Sequence, residues 1–349
     1  MRVAGVGTGF PPHYYDQATL LAELKKLWKE NNRNPATLDR LHRNVLVNGR
    51  HLALPLDAYR GLKNWGEAND AWIRVAEDVG EAAVREALTV AGLKPGDVGT
   101  LIFTTVTGVA TPSIDARLMN RLGLPDSVRR LPLFGLGCVA GAAGVARAAD
   151  FVKAWPGEVA VVLSVELCSL TLQREDLSVR NLIATGLFGD GAAAAVVVGE
   201  NRRSEGPRIL GSRSVFYPET EDVMGWNISE KGFGLVLSAE VPTMVRRHLQ
   251  KDVDDFLRTF DLDRSDMARW ISHPGGPKVL EAMQNALELP DDALEPSWRS
   301  LRELGNLSST SVLMILKETL EKNRPPAGSY GLILAMGPGF CSELVLLQW

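Results

Sequence analysis

The sequence predicts an α/β fold of two related halves, and two patterns support this prediction. Short runs rich in valine, leucine and isoleucine recur along the chain, nearly continuous in apolar residues, as in strands covered on both faces of a sheet. Segments with the apolar spacing of amphipathic helices lie between these runs. Because strand and helix alternate once over residues 1–200 and again over 201–349, we expect two α/β units packed together.

The predicted elements follow in order along the chain. Six segments have the composition of buried strands: Thr100–Thr107, Val159–Glu166, Ala192–Gly199, Trp270–Ser272, Tyr330–Gly337 and Ser342–Trp349. Three segments have helical spacing: Ala71–Leu93, Val241–Phe260 and Ser308–Asn323. Gly92 stops the first helix and Pro325 lies just beyond the third. The loose stretch Gly199–Arg208 is predicted to be the seam between the halves.

Composition excludes several classes of protein. With 349 residues, 45% of them apolar and 23% charged, the chain can form a full core. A net charge of −4 argues against general nucleic-acid binding, although it leaves room for a local basic patch. The three cysteines form no C-x-x-C pair, so neither a disulfide framework nor a zinc cluster is expected. The N-terminus has the pattern of neither a signal peptide nor a membrane span, and we expect a cytoplasmic protein.

Cys138 stands between an apolar run and a stretch of glycine and alanine, in "LPLFGLGCVAGAAGVARAADF". The run before it is predicted to be a strand, and the small residues after it a tightly packed helix. A helix N-terminus and an adjacent imidazolium both favour a thiolate over a thiol. The residues alone leave two interpretations open. Cys138 is either a nucleophile at the bottom of a dry pocket or simply a small buried residue, as most single cysteines are.

His273 differs from the other four histidines, which lie among charged or loop residues. It follows the apolar run "RWIS" and precedes "PGGPKVLEAM", a turn that opens a helix. A histidine at the carboxyl end of a strand points into the crevice where α/β proteins bind ligands. A hydrogen-bonded structural histidine fits the same pattern.

Asn306 precedes the third predicted helix, in "ELGNLSSTSVLMILKE". An asparagine at such a position is most often a turn or cap residue. Its amide could also donate a hydrogen bond to a developing oxyanion.

Three arginines lie close together in "LDRLHRNVLVNGRHLALPLDAY": Arg40, Arg43 and Arg50. A solvated charged face accounts for them about as well as an anion site does. In the second interpretation they hold a nucleotide phosphate, because arginine presents paired donors to phosphate oxygens.

Taken together, five stretches resemble the type III polyketide synthases, the chalcone-synthase-like branch of the thiolase superfamily. They are "GCVAGAAG", "LIATGLFGDGAAAAVVVG", "WISHPGGPKVLEAM", "LGNLSSTSVL" and "GPGFCSELVLL", in the family's order and spacing. The resemblance implies a thiolase-like fold in which two βαβαβ halves form a layered αβαβα core. The half 1–200 then carries the nucleophilic cysteine, and the half 201–349 carries the histidine and the asparagine.

The resemblance also implies roles for individual residues. Cys138 matches the nucleophile, and His273 and Asn306 match its two partners. Arg40 and Arg43 match residues that hold the coenzyme A phosphates, with Arg50 as a substitute for a third basic position. That third position is Val47 here. Gate and cavity positions are implied at Phe188, Thr107, Thr111, Cys168, Leu235, Ser308, Gly337, Pro338 and Gly339.

Three of these positions carry specific expectations. Phe188 matches the aromatic gate between the coenzyme A tunnel and the reaction cavity. The second gating phenylalanine of the family falls at Leu235, with Phe233 nearby. Thr111 matches a residue that reaches across a homodimer into the neighbouring cavity, so the resemblance implies a homodimer.

The implied reaction loads an acyl-CoA on Cys138 and extends it by decarboxylative condensation with malonyl-CoA. His273 keeps the thiolate ionised, and together with Asn306 it stabilises the enolate. The chemistry requires no metal or redox cofactor, only coenzyme A thioesters as substrates. Asp190 in "FGDG" is interpreted as a turn or capping residue.

Sequence similarity in a few short stretches favours one branch of the family. Cys168, "GRHLALPLDAY" and "DVMGWNISEKGFGLVLSAEVP" resemble the bacterial alkylpyrone synthases, which are primed with fatty acyl-CoA. We therefore expect a medium-chain or long-chain starter and a pyrone product. The alternatives are a ketoacyl synthase that makes a single condensation on acyl carrier protein, and a non-catalytic acyl-CoA-binding protein of the same fold.

Overall fold

A computed structural model describes residues 1–28 and 35–349 of the chain. The strands are β1 (Arg2–Gly9), β2 (His13–Asp16), β3 (Gly49–Leu52), β4 (Thr100–Thr105), β5 (Arg129–Phe134), β6 (Val159–Leu167), β7 (Asp190–Val198), β8 (Arg208–Phe216), β9 (Met224–Ser229), β10 (Gly232–Leu237), β11 (Met267–Ser272), β12 (Tyr330–Gly337) and β13 (Cys341–Gln348). The helices are α1 (Gln17–Leu27), α2 (Pro35–Asn44), α3 (Leu56–Gly61), α4 (Trp65–Val90), α5 (Ile114–Leu122), α6 (Ala140–Ala154), α7 (Val179–Leu187), α8 (Val241–Arg258), α9 (Pro277–Leu287), α10 (Glu295–Leu304) and α11 (Ser309–Glu321).

Nine of these strands form one mixed sheet in the order β11-β12-β13-β8-β1-β7-β6-β4-β5. The strands of the first half are β1, β7, β6, β4 and β5, and those of the second half are β8, β13, β12 and β11. The two groups meet where β1 and β8 pair at Arg2 and Arg208. Strand pairing is parallel around β4 and between β11 and β12, and antiparallel elsewhere in the sheet.

Two helices, α6 and α11, are buried between the halves and pack against strands of both. The glycines of α6 allow this close approach. A Cβ atom at Gly141 would lie 2.7 Å from Val312 Cγ1, and one at Gly144 would lie 2.5 Å from Val162 Cγ1. Helix α4 covers the outer face of the first half, and α8 and α9 cover that of the second. The αβαβα layering implied by the resemblance is confirmed.

All six predicted strands and all three predicted helices are present, with ends that differ by a few residues. The sequence did not predict β1, whose glycines weaken the strand pattern. Those glycines are required by packing, because a Cβ atom at Gly5 would lie 2.7 Å from the carbonyl oxygen of Ala87 in α4. Among the residues that the structure describes, none of the helices combines the length and hydrophobicity needed to cross a bilayer.

Candidate active site

A cavity of about 60 Å³ lies between the two halves, and Cys138, His273 and Asn306 all line it. Each comes from a different place in the chain. Cys138 lies in the 3₁₀ turn before α6, His273 directly follows β11, and Asn306 lies between α10 and α11. The structure thus brings together the three residues that the sequence singled out for chemistry.

The turn that carries Cys138 depends on glycine. The preceding strand ends at Phe134, earlier than predicted, because Gly135 and Gly137 adopt positive φ angles of 99° and 57°. A Cβ atom at Gly137 would lie 2.5 Å from the ring of Pro338. The loop at Pro338 therefore packs directly against the cysteine turn, and a 3₁₀ turn over Gly137–Val139 leads into α6.

Burial opposes ionisation of both Cys138 and His273. It raises the pKa of the Cys138 thiol to about 12, although a contact of 3.6 Å from Sγ to the Ser308 hydroxyl acts in the opposite direction. It also lowers the pKa of His273 to about 4. Both directions oppose the thiolate–imidazolium pair that the resemblance implies, and that pair stays a prediction.

The imidazole of His273 is free to act on a ligand. Its backbone is fixed by the N–H bond to Leu334 O (2.8 Å), which continues the pairing of β11 with β12. Within residues 1–28 and 35–349, neither ring nitrogen has a hydrogen-bond partner. A buried imidazole of this kind can accept a proton at one nitrogen and donate from the other.

The side chain of Asn306 is oriented by two hydrogen bonds. Its Oδ1 accepts from the N–H of Ser308 at 2.8 Å, and its Nδ2 donates to Gly275 O at 3.2 Å. The amide nitrogen carries two protons, so one N–H remains for a ligand oxygen. Gly275 lies two residues after His273, which places the amide on the histidine's side of the cavity.

Ser308 contacts both sides of the site. Its Oγ lies 3.6 Å from Cys138 Sγ, and its N–H holds Asn306. Its backbone has a φ of 47°, a region that a residue with a side chain rarely adopts. Strain of this kind persists where the surrounding structure enforces it, often at functional sites.

Sequence reasoning missed Glu166, a fully buried carboxylate beneath the cavity. It accepts hydrogen bonds from Thr107 Oγ1 (2.9 Å), the N–H of Val106 (3.1 Å) and Ser309 Oγ (2.5 Å). Burial raises its pKa to about 7. The available signal was a single acidic residue at the carboxyl end of the apolar strand β6, where an unpaired charge would be costly.

Comparison with known proteins identifies the family. The model of the N-terminal domain of chalcone and stilbene synthases matches residues 2–201, and that of the C-terminal domain matches residues 209–349. The chain belongs to the chalcone and stilbene synthase family. It is therefore a type III polyketide synthase, as the sequence motifs implied.

Similar proteins include three bacterial examples. The chain is 51% identical to a 1,3,6,8-tetrahydroxynaphthalene synthase of Streptomyces peucetius subsp. caesius, over 99% of this chain and 93% of the relative. It is 36% identical to a putative chalcone synthase of Bacillus subtilis strain 168, over 99% and 98% of the two chains. The crystal structure of the tetrahydroxynaphthalene synthase of Streptomyces coelicolor A3(2), described as a bacterial type III polyketide synthase, superposes with a TM-score of 0.94 at 32% identity, covering 100% and 99%.

In this polyketide synthase, four side chains lie between the cavity and a neighbouring one. Phe188, Cys168, Leu235 and Trp226 line both the cavity and a neighbouring one of about 130 Å³. Sequence reasoning did not select Trp226. It lies directly across the β9–β10 hairpin from Leu235, and its ring packs against Phe233 with centroids 5.9 Å apart. Trp226 thus supplies aromatic bulk beside the position where Leu235 lacks it.

The predicted cavity positions are distributed around this site. Thr107, Cys168, Ser308 and Pro338 line the cavity, and Gly337 lies beside the cysteine turn, where a Cβ atom would be 3.0 Å from the N atom of Val139. Gly339 follows with a positive φ of 74°.

Thr111 lies elsewhere, in an exposed depression beside the edge strand β5. It is not part of the lining of its own chain's cavity. Its role across a dimer stays a prediction.

The three predicted phosphate-binding arginines do not form one cluster. Arg40 and Arg43 are exposed on α2. Arg50 is 3% exposed and donates to the carbonyl oxygens of Thr185 and Gly186 and to Gln17 Oε1. Strand β3 directs Arg50 into the protein, where backbone oxygens occupy Nη1 and Nη2, although the side chain also lines the outer cavity. A contact between Arg50 and coenzyme A phosphate stays a prediction.

Proposed function

We propose that this polyketide synthase primes itself with a small malonyl-derived unit, extends it with malonyl-CoA and closes the product into a polyhydroxylated aromatic ring. The observation that carries the proposal is the small cavity shared by Cys138, His273 and Asn306. The relatives named after 1,3,6,8-tetrahydroxynaphthalene support the product class. Its ten ring carbons and alternating oxygens correspond to five two-carbon units, which require no bulky starter.

Loading begins with a neutral thiol and a neutral imidazole. His273 accepts the proton of Cys138 as the thiol attacks the thioester carbonyl, and free coenzyme A leaves. Because the imidazole is buried with a pKa near 4, it is in the basic form at neutral pH. The acyl group then remains on Cys138 Sγ.

Extension requires an enolate at the same place. A second malonyl-CoA loses carbon dioxide, and the negative charge moves to the thioester oxygen. The free N–H of Asn306 and an N–H of His273 converge on the cavity and stabilise that oxygen. The enolate carbon then attacks the acyl–Cys138 carbonyl, forming the new carbon–carbon bond and releasing the thiolate, which regains the proton held by His273.

The volume of the cavity supports a small starter. A space of about 60 Å³ is small beside a medium or long acyl chain, since a single water molecule already needs about 10–15 Å³ of space measured in this way. A long starter would displace the buried Met283, Met336 or Phe340, and overpacking is costly. The methionines have flexible side chains that can give way gradually as a polyketide grows.

A fatty acyl-CoA starter and an alkylpyrone product form the second candidate. One observation favours it: the outer cavity of about 130 Å³ is lined by many leucines, which suit an alkyl chain. These are Leu20, Leu24, Leu27, Leu52, Leu56, Leu172 and Leu235.

Coenzyme A and a second copy of the chain complete the proposal. Arg40 and Arg43, exposed on α2, hold the phosphates of the thioester substrates. The homodimer forms along the edge strand β5, which is exposed along most of its length and presents Leu131 and Phe134 at 43% and 48% exposure. A sheet edge with apolar side chains favours association, and Thr111 lies beside it.

Product analysis tests the proposal. The purified protein is supplied with malonyl-CoA alone, and then with a panel of acyl-CoA starters, with Cys138→Ser as the control. We expect aromatic polyketides from malonyl-CoA alone and none from the variant. Alkylpyrones formed in preference from long-chain starters would replace the proposal with the second candidate. A requirement for acyl carrier protein and a single condensation would favour a ketoacyl synthase, and no condensation at all would refute both polyketide proposals.

A further inference from the structure

The C-terminal end of α7 connects the gate to the proposed oxyanion donor. An α-helix leaves its last four carbonyl oxygens without partners inside the helix. In α7 these belong to Ala184, Thr185, Gly186 and Leu187. Ala184 O accepts from the N–H of Phe188 at 3.1 Å, and Leu187 O accepts from the N–H of Asn306 at 2.9 Å.

Arg50 satisfies the remaining two carbonyls. Its guanidinium donates to Thr185 O and Gly186 O, and the second contact is shared with Gln17 Nε2 at 3.0 Å. The positive charge also lies at the negative end of the helix dipole. Every free carbonyl at this end of α7 is therefore held by one of three residues: Phe188, Arg50 or Asn306.

The aliphatic part of Arg50 packs beside the same two functional residues. A Cβ atom at Gly189, next to Phe188, would lie 3.2 Å from Arg50 Cβ. A Cβ atom at Gly305, next to Asn306, would lie 3.6 Å from Arg50 Cδ. Phe188 and Asn306 are themselves paired as an isolated β-bridge, and Gly189 donates its N–H to Asn306 O at 3.0 Å.

We propose that Arg50 is a positioning residue: by closing the C-terminal end of α7, it fixes the gate Phe188 and the amide of Asn306 relative to Cys138. The inference rests on the proposed function, in which Asn306 stabilises the enolate. Arg50 touches no substrate in this account and acts through the backbone. Loss of its guanidinium leaves the carbonyl of Thr185 without a donor and that of Gly186 with Gln17 Nε2 alone, and the chain at Phe188 and Asn306 must shift in response.

The test separates positioning from binding of coenzyme A phosphate. Arg50→Met and Arg50→Lys are assayed with malonyl-CoA and with malonyl-N-acetylcysteamine, a thioester without phosphates. Rates are expressed per folded protein, determined from the near-ultraviolet circular dichroism signal, so that unfolded protein does not count. We expect Arg50→Met to lower kcat about 10- to 100-fold with both thioesters, because small displacements of catalytic groups cost that much. KM for malonyl-CoA should change less than about twofold, and Arg50→Lys should recover part of kcat.

Control variants make the outcome decisive. Arg74→Met changes an exposed arginine of α4 and should leave kcat and KM for malonyl-CoA unchanged. Arg43→Met should raise KM for malonyl-CoA only. If Arg50→Met does not fold, Gln17→Ala, which removes a donor from Gly186 O, should give a smaller fall in kcat with both thioesters.

Three results would overturn the inference. The first is an Arg50→Met variant in which only KM for malonyl-CoA rises, as expected for Arg43→Met. The second is an Arg50→Met variant with normal kcat per folded protein, and the third is an Arg50→Lys variant no more active than Arg50→Met. A wild-type protein without condensing activity would instead refute the proposed function.

Discussion

Replacing Trp226 by alanine should widen the passage between the two cavities and shift the choice of starter. The indole lines both cavities, stands opposite Leu235 and packs on Phe233. A tryptophan buries about 150–250 Å² when enclosed, and this one is half-buried. At about 25 cal/mol per Å², the lost burial costs about 2–3 kcal/mol of unfolding free energy, which a typical domain tolerates.

The effect on specificity should exceed the effect on stability. One methylene group that an apolar pocket accommodates or rejects changes the free energy of transition-state binding by about 1–3 kcal/mol. Removal of the indole should therefore raise kcat/KM for hexanoyl-CoA as starter by about 10- to 100-fold, while malonyl-CoA alone is still converted. The assay is competition between hexanoyl-CoA and malonyl priming, with products quantified by mass spectrometry.

Trp65→Ala is the matched control. Trp65 packs against the same Phe233 with centroids 5.7 Å apart, but it lines an outer groove and neither of the two cavities. It should lower stability by a similar amount and leave starter choice unchanged. Equal shifts in both variants, or no shift in Trp226→Ala, would show that Trp226 does not control the passage.

Three further predictions concern packing, pH and the oxyanion. Gly7→Ala should lower the unfolding free energy by more than about 2 kcal/mol in a urea titration, because the new Cβ atom would overlap Ala83 O. Gly96→Ala is the control and should leave the unfolding free energy unchanged, because the space around Gly96 is open. Equal urea midpoints for the two variants would refute the close packing of β1 on α4. Burial lowers the pKa of His42 to about 4, so its contribution to stability is lost as pH decreases from about 6.5 to about 4, whereas the raised pKa of Glu166, about 7, acts in the opposite direction. The stability difference between the wild type and a His42→Asn variant should therefore shrink over that pH range in urea titrations, and a constant difference would contradict this. Asn306→Ala should slow decarboxylation of malonyl-CoA by about 10²–10³, measured as carbon dioxide release; an unchanged rate would remove Asn306 from the mechanism.

The sequence was most informative where chemistry requires a particular residue type in a recognisable setting. Cys138, His273 and Asn306 each stand at the end of a strand or the start of a helix, and they converge in the structure as their motifs implied. Arg50 shows the opposite case. Its closeness to Arg40 and Arg43 in the sequence suggested a shared surface, but strand β3 turns it inward, and only the folded backbone shows the carbonyls that it binds.

Contacts between separate segments of the chain explain why Trp226, β1 and Glu166 were not predicted. Trp226 gains its place at the passage from pairing with Leu235 across a hairpin, and a single sequence does not show which residues face each other. The glycines of β1 hid a central strand, because close packing against α4 demands residues that by themselves disfavour strands. The significance of Glu166 became visible only in the fold, where donors from two separate segments, Val106–Thr107 and Ser309, converge on its carboxylate.

The identity of the residue that carries the acyl group tests the account most directly. The protein is incubated briefly with malonyl-CoA, quenched in acid, digested and examined by mass spectrometry. We predict an acyl adduct on the peptide that contains Cys138, absent in Cys138→Ser and present in a Cys168→Ser variant. An adduct confined to Cys168 or Cys341, or polyketide formation that survives in Cys138→Ser, would contradict the account.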